Sequence, residues 1–246
     1  MMVRRVLCAS VLALFASGTV AFAVPQTHAM AAKMKMPPKA MAASKVKAKL
    51  SDKPVGAAET LFVRSMQADL MQRFPTAADA EKAGYVRYTN EDNTGAISYA
   101  NFDWQSADAQ HPSQLWYDVK GNLLGADFSV LHANNPPHIW GINPARWSNF
   151  KHAHYHFIVK DPKTGALTYG STNAKKIIAA GGTTANLDPA IVVKLGKATS
   201  ATDVVKFFEF PALWDLTVWV KSNPNGAFAE KNPSVIPSAN AAKDSM

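Results

Sequence analysis

KHAHYHFIVKD, residues 151–161, alternates His152, His154 and His156 with Ala153, Tyr155 and Phe157. A period of two is the side-chain period of a β-strand, so an extended segment sends all three imidazoles to one face. Tyr155, Phe157 and Val159 then take the other face, and their aromatic and β-branched character favours strand over helix. The alternation predicts a row of metal ligands. Neighbouring histidines in such a row stand about 6–7 Å apart at Cα, whereas His152 and His156 stand roughly 13 Å apart, too far to share one ion from a regular strand. The expected centre is therefore a pair, His152 with His154 or His154 with His156, completed by His138, His132 or Asp127. The remaining histidine would act beside the metal as a hydrogen-bonding or proton-transfer group. Nitrogen and oxygen donors without sulfur suit zinc, copper, nickel or iron, and a zinc or copper ion is the expectation carried forward. An open position on zinc would permit hydrolysis or hydration through bound hydroxide. Two other readings stay open: histidines lining a pocket without metal, and the polar face of a half-exposed strand.

Working outward, residues 161–165 read as a turn and 166–170 as a return strand, which makes an antiparallel hairpin. Residues 85–88, 96–102, 114–118 and 122–131 read as short strands separated by turn-rich sequence. In the last of these, Leu124, Phe128 and Val130 share one face and Gly125, Asp127 and Ser129 the other. Asp127 is an acid in an apolar strand, either a pocket or ligand residue or a solvated edge charge. Residues 213–220 form a further apolar strand, followed by a turn at Asn223-Pro224-Asn225-Gly226. Helical spacing recurs at Leu61, Phe62, Met66, Leu70 and Phe74 until Pro75 stops it, and Thr76 with Asp79 opens a short second helix that ends at Gly84. Residues 173–180 read as a short helix, 191–195 are ambiguous, and 202–208 read as a helix capped near Ser200 or Thr202. The fold class is α+β, with N-terminal helices packed on a mainly antiparallel sheet or open barrel. One globular domain is expected over 55–237, with a disordered tail over 238–246.

The chain has 246 residues and a formal charge of +8. Residues 1–23 carry Arg4 and Arg5, an apolar run and Ala21-Phe22-Ala23, the order of a secretory signal peptide and too short an apolar run to span a bilayer permanently. The expected location is periplasmic or extracellular. The one cysteine, Cys8, would leave with the signal, which excludes disulfides, thiolate metal sites and a cysteine nucleophile. Without the signal the charge is +6, all of it supplied by the six lysines of residues 24–50, so the chain from Ser51 onward is neutral. Neutrality argues against a nucleic-acid groove. Residues 24–54 read as a flexible basic Ala/Lys/Met/Pro linker. Its methionines with His28 offer soft Cu(I) donors, and its lysines offer contact with an anionic envelope surface.

The segment from Gln114 to Phe128, QLWYDVKGNLLGADF, and the ending from Trp214 to Val235, WDLTVWVKSNPNGAFAEKNPSV, together resemble a family of uncharacterised secreted bacterial proteins with an NPxGxFxxxNP pattern. The resemblance covers patches between Leu61 and Val235 and implies no activity. Its pattern places a histidine in the strand before the first NP and an acid in the middle strand, and the matching positions here are Thr217 and Asp127. The sequence has no G-x-S-x-G nucleophile elbow, no phosphate loop and no dinucleotide fingerprint, so no catalytic residue is assigned. The alternative to a metal protein is a non-enzymatic ligand-binding or envelope-associated protein with a His/Trp-lined pocket, to which Trp104, Trp116, Trp140, Trp147, Trp214 and Trp219 are the candidate aromatic contributors.

Overall fold

A computed structural model describes residues 50–103 and 108–242. The expected signal, Cys8, nearly all of the basic linker, Trp104 and residues 243–246 lie outside the described residues. Helix α1 (Gly56–Arg73) follows from apolar residues three and four apart, and it buries Phe62, Val63, Met66 and Leu70 on one side. Thr76 caps α2 (Ala77–Lys82), its side chain accepting the Asp79 N–H at 3.3 Å. The strands follow as β1 (Val86–Arg87), β2 (Ile97–Ala100), β3 (Gln114–Tyr117), β4 (Leu123–Leu131), β5 (Ser148–Phe150), β6 (His154–Lys160) and β7 (Leu167–Thr172). Helices α3 (Ala174–Ala179) and α4 (Pro189–Lys194) precede β8 (Val204–Phe210) and β9 (Leu213–Trp219).

These strands make two antiparallel sheets, one of six strands in the order β1-β2-β3-β4-β9-β5 and one of three in the order β7-β6-β8. Both are open, so the α+β class holds with sheets in place of a barrel. The hairpin of β6 and β7 pairs Tyr155 with Thr172 through to Lys160 with Leu167.

Two segments differ from their expected conformation. The Ser200 cap forms a full capping box with Asp203, but it closes only one 3-10 turn, Ala201–Asp203. Beyond it, Val204, Val205, Phe207 and Phe208 extend into β8, because β-branched and aromatic residues gain more from pairing with β6 than from a helix. The ambiguous 191–195 segment belongs to α4, where Asp188 caps Ala190 N–H at 2.8 Å and Pro189 supplies a preset first turn. Part of the expected tail is also tied down: the Glu91 carboxylate accepts Ser238 N–H at 2.7 Å, and Ala242 N–H donates to the Glu91 carbonyl at 2.9 Å.

The alternation of each strand sorts its residues into layers. In the six-stranded sheet Leu115, Ala126, Phe128, Leu216 and Val218 join the α1 side chains in the larger core. In the three-stranded sheet Tyr155, Phe157 and Val159 pack with Ile177 of α3 and with Ile191 and Val192 of α4. The two remaining sheet faces meet each other. Ala100 and Leu213 from the large sheet and Ile158, Phe208 and Phe210 from the small one, with Tyr88, form the apolar floor between them.

The NPxGxFxxxNP pattern has a structural account. Gly226 adopts φ +116°, and a Cβ there would lie 2.1 Å from the Asp52 carbonyl oxygen, so only glycine fits. Buried Asn232 donates to the carbonyls of Lys221 and Ser222 at 3.3 and 3.1 Å, and Trp219 Nε1 donates to Ala229 O at 2.6 Å. The pattern folds back on the end of β9 and fixes Trp219.

Candidate binding cleft between the sheets

Register decides what faces the space between the sheets. On β4, Asp127 lies opposite Gln114 of β3 and Thr217 of β9, and Ser129 lies opposite Asp215. Ser148 of β5 extends the same row. This face carries a polar row beside Ala100 and Leu213, in a sheet whose other face is apolar. Across from it, β6 presents His154 and His156. Together they line a cavity of about 1070 Å³ that also takes in Tyr88, Trp116, Phe210 and Trp219.

The two carboxylates are held differently. Thr217 Oγ1 donates to Asp127 Oδ1 at 2.9 Å, so the two positions that the family resemblance singled out touch each other. Asp215 Oδ1 is buried with no hydrogen-bond partner. Burial and the neighbouring Asp215 charge push Asp127 well above the usual carboxylate range, against the pull of the Thr217 hydroxyl. Burial likewise pushes Asp215 up to about 6, opposed by Ser129. Among the described residues neither acid has a salt-bridge partner.

The histidines are held neutral. Burial, then the His154 ring beside it, brings His156 down to about 3, and burial lowers His154 against the hydrogen bond that its ring donates to the His152 backbone carbonyl. The two rings lie 5.2 Å apart. His154 stacks on Phe210 at 5.3 Å and His156 on Phe208 at 5.7 Å, while Tyr88 meets His156 edge-on at 4.9 Å. The Tyr88 hydroxyl donates to Gln114 Oε1, linking the histidine side of the cleft to the carboxylate side. His156 Nδ1 is buried and unpartnered. Thr172 Oγ1 and Trp147 Nε1 are also buried without partners; Thr172, at the end of β7, lines the same cavity, whereas Trp147 belongs to the α1 core.

The expected row of three histidines is a pair here, because β6 begins at His154. His152 is exposed on the bend before it. His132 stacks on Trp214 at 5.4 Å and its Nε2 lies 3.0 Å from Asn149 Oδ1, away from the cavity. His138 is exposed in the loop before β5. Of the named ligand candidates, the fold brings His154, His156 and Asp127 to one cavity and leaves the other three outside it. Among the described residues no group of three or more His, Cys, Asp or Glu side chains gathers as a metal centre. Of the tryptophans, Trp116 and Trp219 line the cleft 5.3 Å apart, whereas Trp140 and Trp147 pack on the α1 side. Asp215, Gln114 and Tyr88 were not foreseen; the legible signal was Asp215 interrupting LWDLTVW just as Asp127 interrupts LLGADFSVL.

Comparison with known proteins adds nothing to this geometry: no family model, no curated protein and no solved structure matches the chain.

The raised Asp215 carboxyl has a cost that can be measured. A buried acid raised above its unfolded value of 3.8 destabilises the fold once the pH exceeds that value, and the penalty is complete above about 6. Asp215→Asn is expected to raise the unfolding free energy at pH 7.5 by on the order of 2 kcal/mol, because the amide carries no charge. The gain should vanish near pH 4 in urea titrations at the two pH values.

Proposed function

We propose that this chain is an exported protein whose inter-sheet cleft binds a small polar molecule. The carrying observation is that two of the buried polar atoms without partners, His156 Nδ1 on the small sheet and Asp215 Oδ1 on the large one, belong to residues that line one cavity. A buried unpaired polar atom costs roughly 1–3 kcal/mol, and a cleft that keeps two of them repays that cost when a ligand pairs with both. The charged, apolar and small-residue order of residues 1–23 supports export, and among the described residues no helix is long and apolar enough to cross a membrane. A second reading, a zinc or copper ion held by His154 and His156, is favoured by the 5.2 Å approach of two rings kept neutral. It requires a third donor from outside the described set or from the ligand itself.

A thermal-shift screen of polar small molecules, with zinc and copper salts included, tests both readings. A ligand at a hundred times its Kd stabilises by about 2.7 kcal/mol, which moves Tm by several degrees. The expected result is a shift in the wild type that disappears in Asp215→Asn/His156→Phe. A screen without any shift that depends on these residues overturns the cleft reading. A shift with zinc or copper alone, lost in His154→Ala/His156→Ala together with about one bound metal per chain by elemental analysis, replaces it with the metal reading.

A further inference from the structure

Acidic side chains around the cleft outnumber basic ones, and among the described residues its two buried acids lack counter-ions. Elsewhere the fold pairs its deeply buried acid: Glu59 holds Arg146, both side chains 2% exposed. Asp127 and Asp215 have no such partner. Arg146 reaches the cavity but spends its guanidinium on Glu59 and on the Ser51 and Lys53 carbonyls. Lys231 at the rim is exposed, and Lys206 rests on the Phe102 ring 3.9 Å away, outside the cavity lining. The walls between these acids and the small sheet are aromatic, with Tyr88 and Phe210 ring centroids 5.1 Å apart.

From this combination we infer that the cleft takes an organic cation, a primary ammonium group seated against Asp215 and Asp127 and flanked by the rings of Tyr88 and Phe210. The inference rests on the reading of the cleft as a ligand site. An ammonium has three donors and no acceptor. Asp215 Oδ1 accepts one of them, and His156 Nδ1, unprotonated when the proton sits on Nε2, accepts another. The aromatic faces add cation–π attraction, which strengthens in a desolvated site. The cation in turn supplies the charge that two adjacent buried carboxylates need in order to ionise together.

The groups facing Asp215 set the pH response. They are Asp127 from β4, His154 and His156 from β6 and Tyr88 after β1, while β3 and β5 present uncharged Gln114 and Ser148. Asp52, Asp92 and Glu230 also line the cavity, with Arg146 and Lys231. Protonation of Asp215 removes the counter-charge, so ammonium affinity falls as the pH drops from 7 to 5.

Ligand-observed NMR titrations of the mature protein with n-butylammonium, n-butanol and butyrate test this. Butylammonium is expected to bind at least tenfold more tightly than either of the others at pH 7.5, to weaken at least fivefold at pH 5, and to weaken tenfold in Asp215→Asn. The wild-type pH series needs no variant and so stands whether or not Asp215→Asn folds. Equal or tighter binding of butanol or butyrate overturns the inference, and if that binding is lost in His156→Phe the cleft reading survives without it. Butylammonium binding unaffected by both pH and Asp215→Asn, or no binding of any probe, also overturns it. Displacement of butylammonium by equimolar zinc, with zinc retained only when His154 and His156 are present, assigns the cleft to a metal instead.

Discussion

Arg146→Ala is expected to lower the unfolding free energy by about 3–5 kcal/mol, because it leaves the buried Glu59 carboxylate without its cation. Arg146 Nε and Nη2 donate to the Glu59 carboxylate at 3.2 and 2.9 Å, and Nη2 also donates to the Lys53 carbonyl at 2.8 Å. The same carboxylate accepts the Val55 and Asn143 N–H groups at 2.8 and 3.0 Å. One ion pair thus ties together the start of α1, the chain ahead of it and the loop before β5. Burial alone would push Glu59 up, but Arg146 and the backbone donors outweigh it and hold the carboxyl below its ordinary 4.5. Truncation leaves that carboxylate buried with half its partners. Acidification then relieves the variant, since protonated Glu59 no longer carries an unpaired charge, so the deficit should be smaller at pH 4 than at pH 8. Glu59→Gln/Arg146→Met, which removes both charges, is expected to cost less than Arg146→Ala. Urea unfolding of the three proteins checks each statement. A deficit under 1 kcal/mol would mean that the pair is surface-like in solution.

The loss would reach the cleft as well as the fold. Arg146 sits two residues before β5, and Ser148 of β5 pairs with Asp215. A loosened 143–147 loop would therefore be felt first as a less fixed Asp215.

What the sequence disclosed follows from how local each determinant is. The alternation in residues 151–161 and the apolar spacing of α1 are local, and both elements form there, although the strand starts at His154 and not at His152. The hairpin after Asp161 is local too. The 202–208 segment misled because its capping box is a genuine helix signal, while the pairing with β6 that overrides it comes from some fifty residues away. His152 belongs to the same alternation as its neighbours, yet nothing in the pattern tells where a strand stops, and the bend before β6 removes it from the row. Asp127 could be singled out as an acid in an apolar strand. Its partner Asp215 could not be matched to it, since only the antiparallel register of β4 and β9 sets the two on one face across 88 residues of chain. A single acid in a strand reads as an edge charge; two on adjacent strands, facing a histidine pair, read as a site.

The histidine pair supplies the second large effect. His156 carries an ordinary value of 6.5 when unfolded and about 3 when folded. A base whose folded value is depressed stabilises nothing on acidification: below 6.5 the unfolded chain takes up a proton that the native chain refuses. Stability is therefore lost progressively as the pH falls from 6.5 towards 3. With each tenfold difference in proton affinity worth about 1.4 kcal/mol, the loss at pH 4 is roughly 3 kcal/mol. His156→Phe keeps the ring stacking on Phe208 and the edge contact with Tyr88 but has no proton to refuse. It is expected to match the wild type within about 1 kcal/mol at pH 7.5 and to exceed it by roughly 3 kcal/mol at pH 4. Asp215 works in the opposite direction, favouring the fold as the pH drops from 6 to 3.8, so the wild type alone would show a muted acid response and only the comparison separates the two. Equal differences at both pH values would mean that His156 accepts a proton in the folded state. The imidazole would then present a donor on both nitrogens, and the acceptor that the ammonium reading requires would be gone.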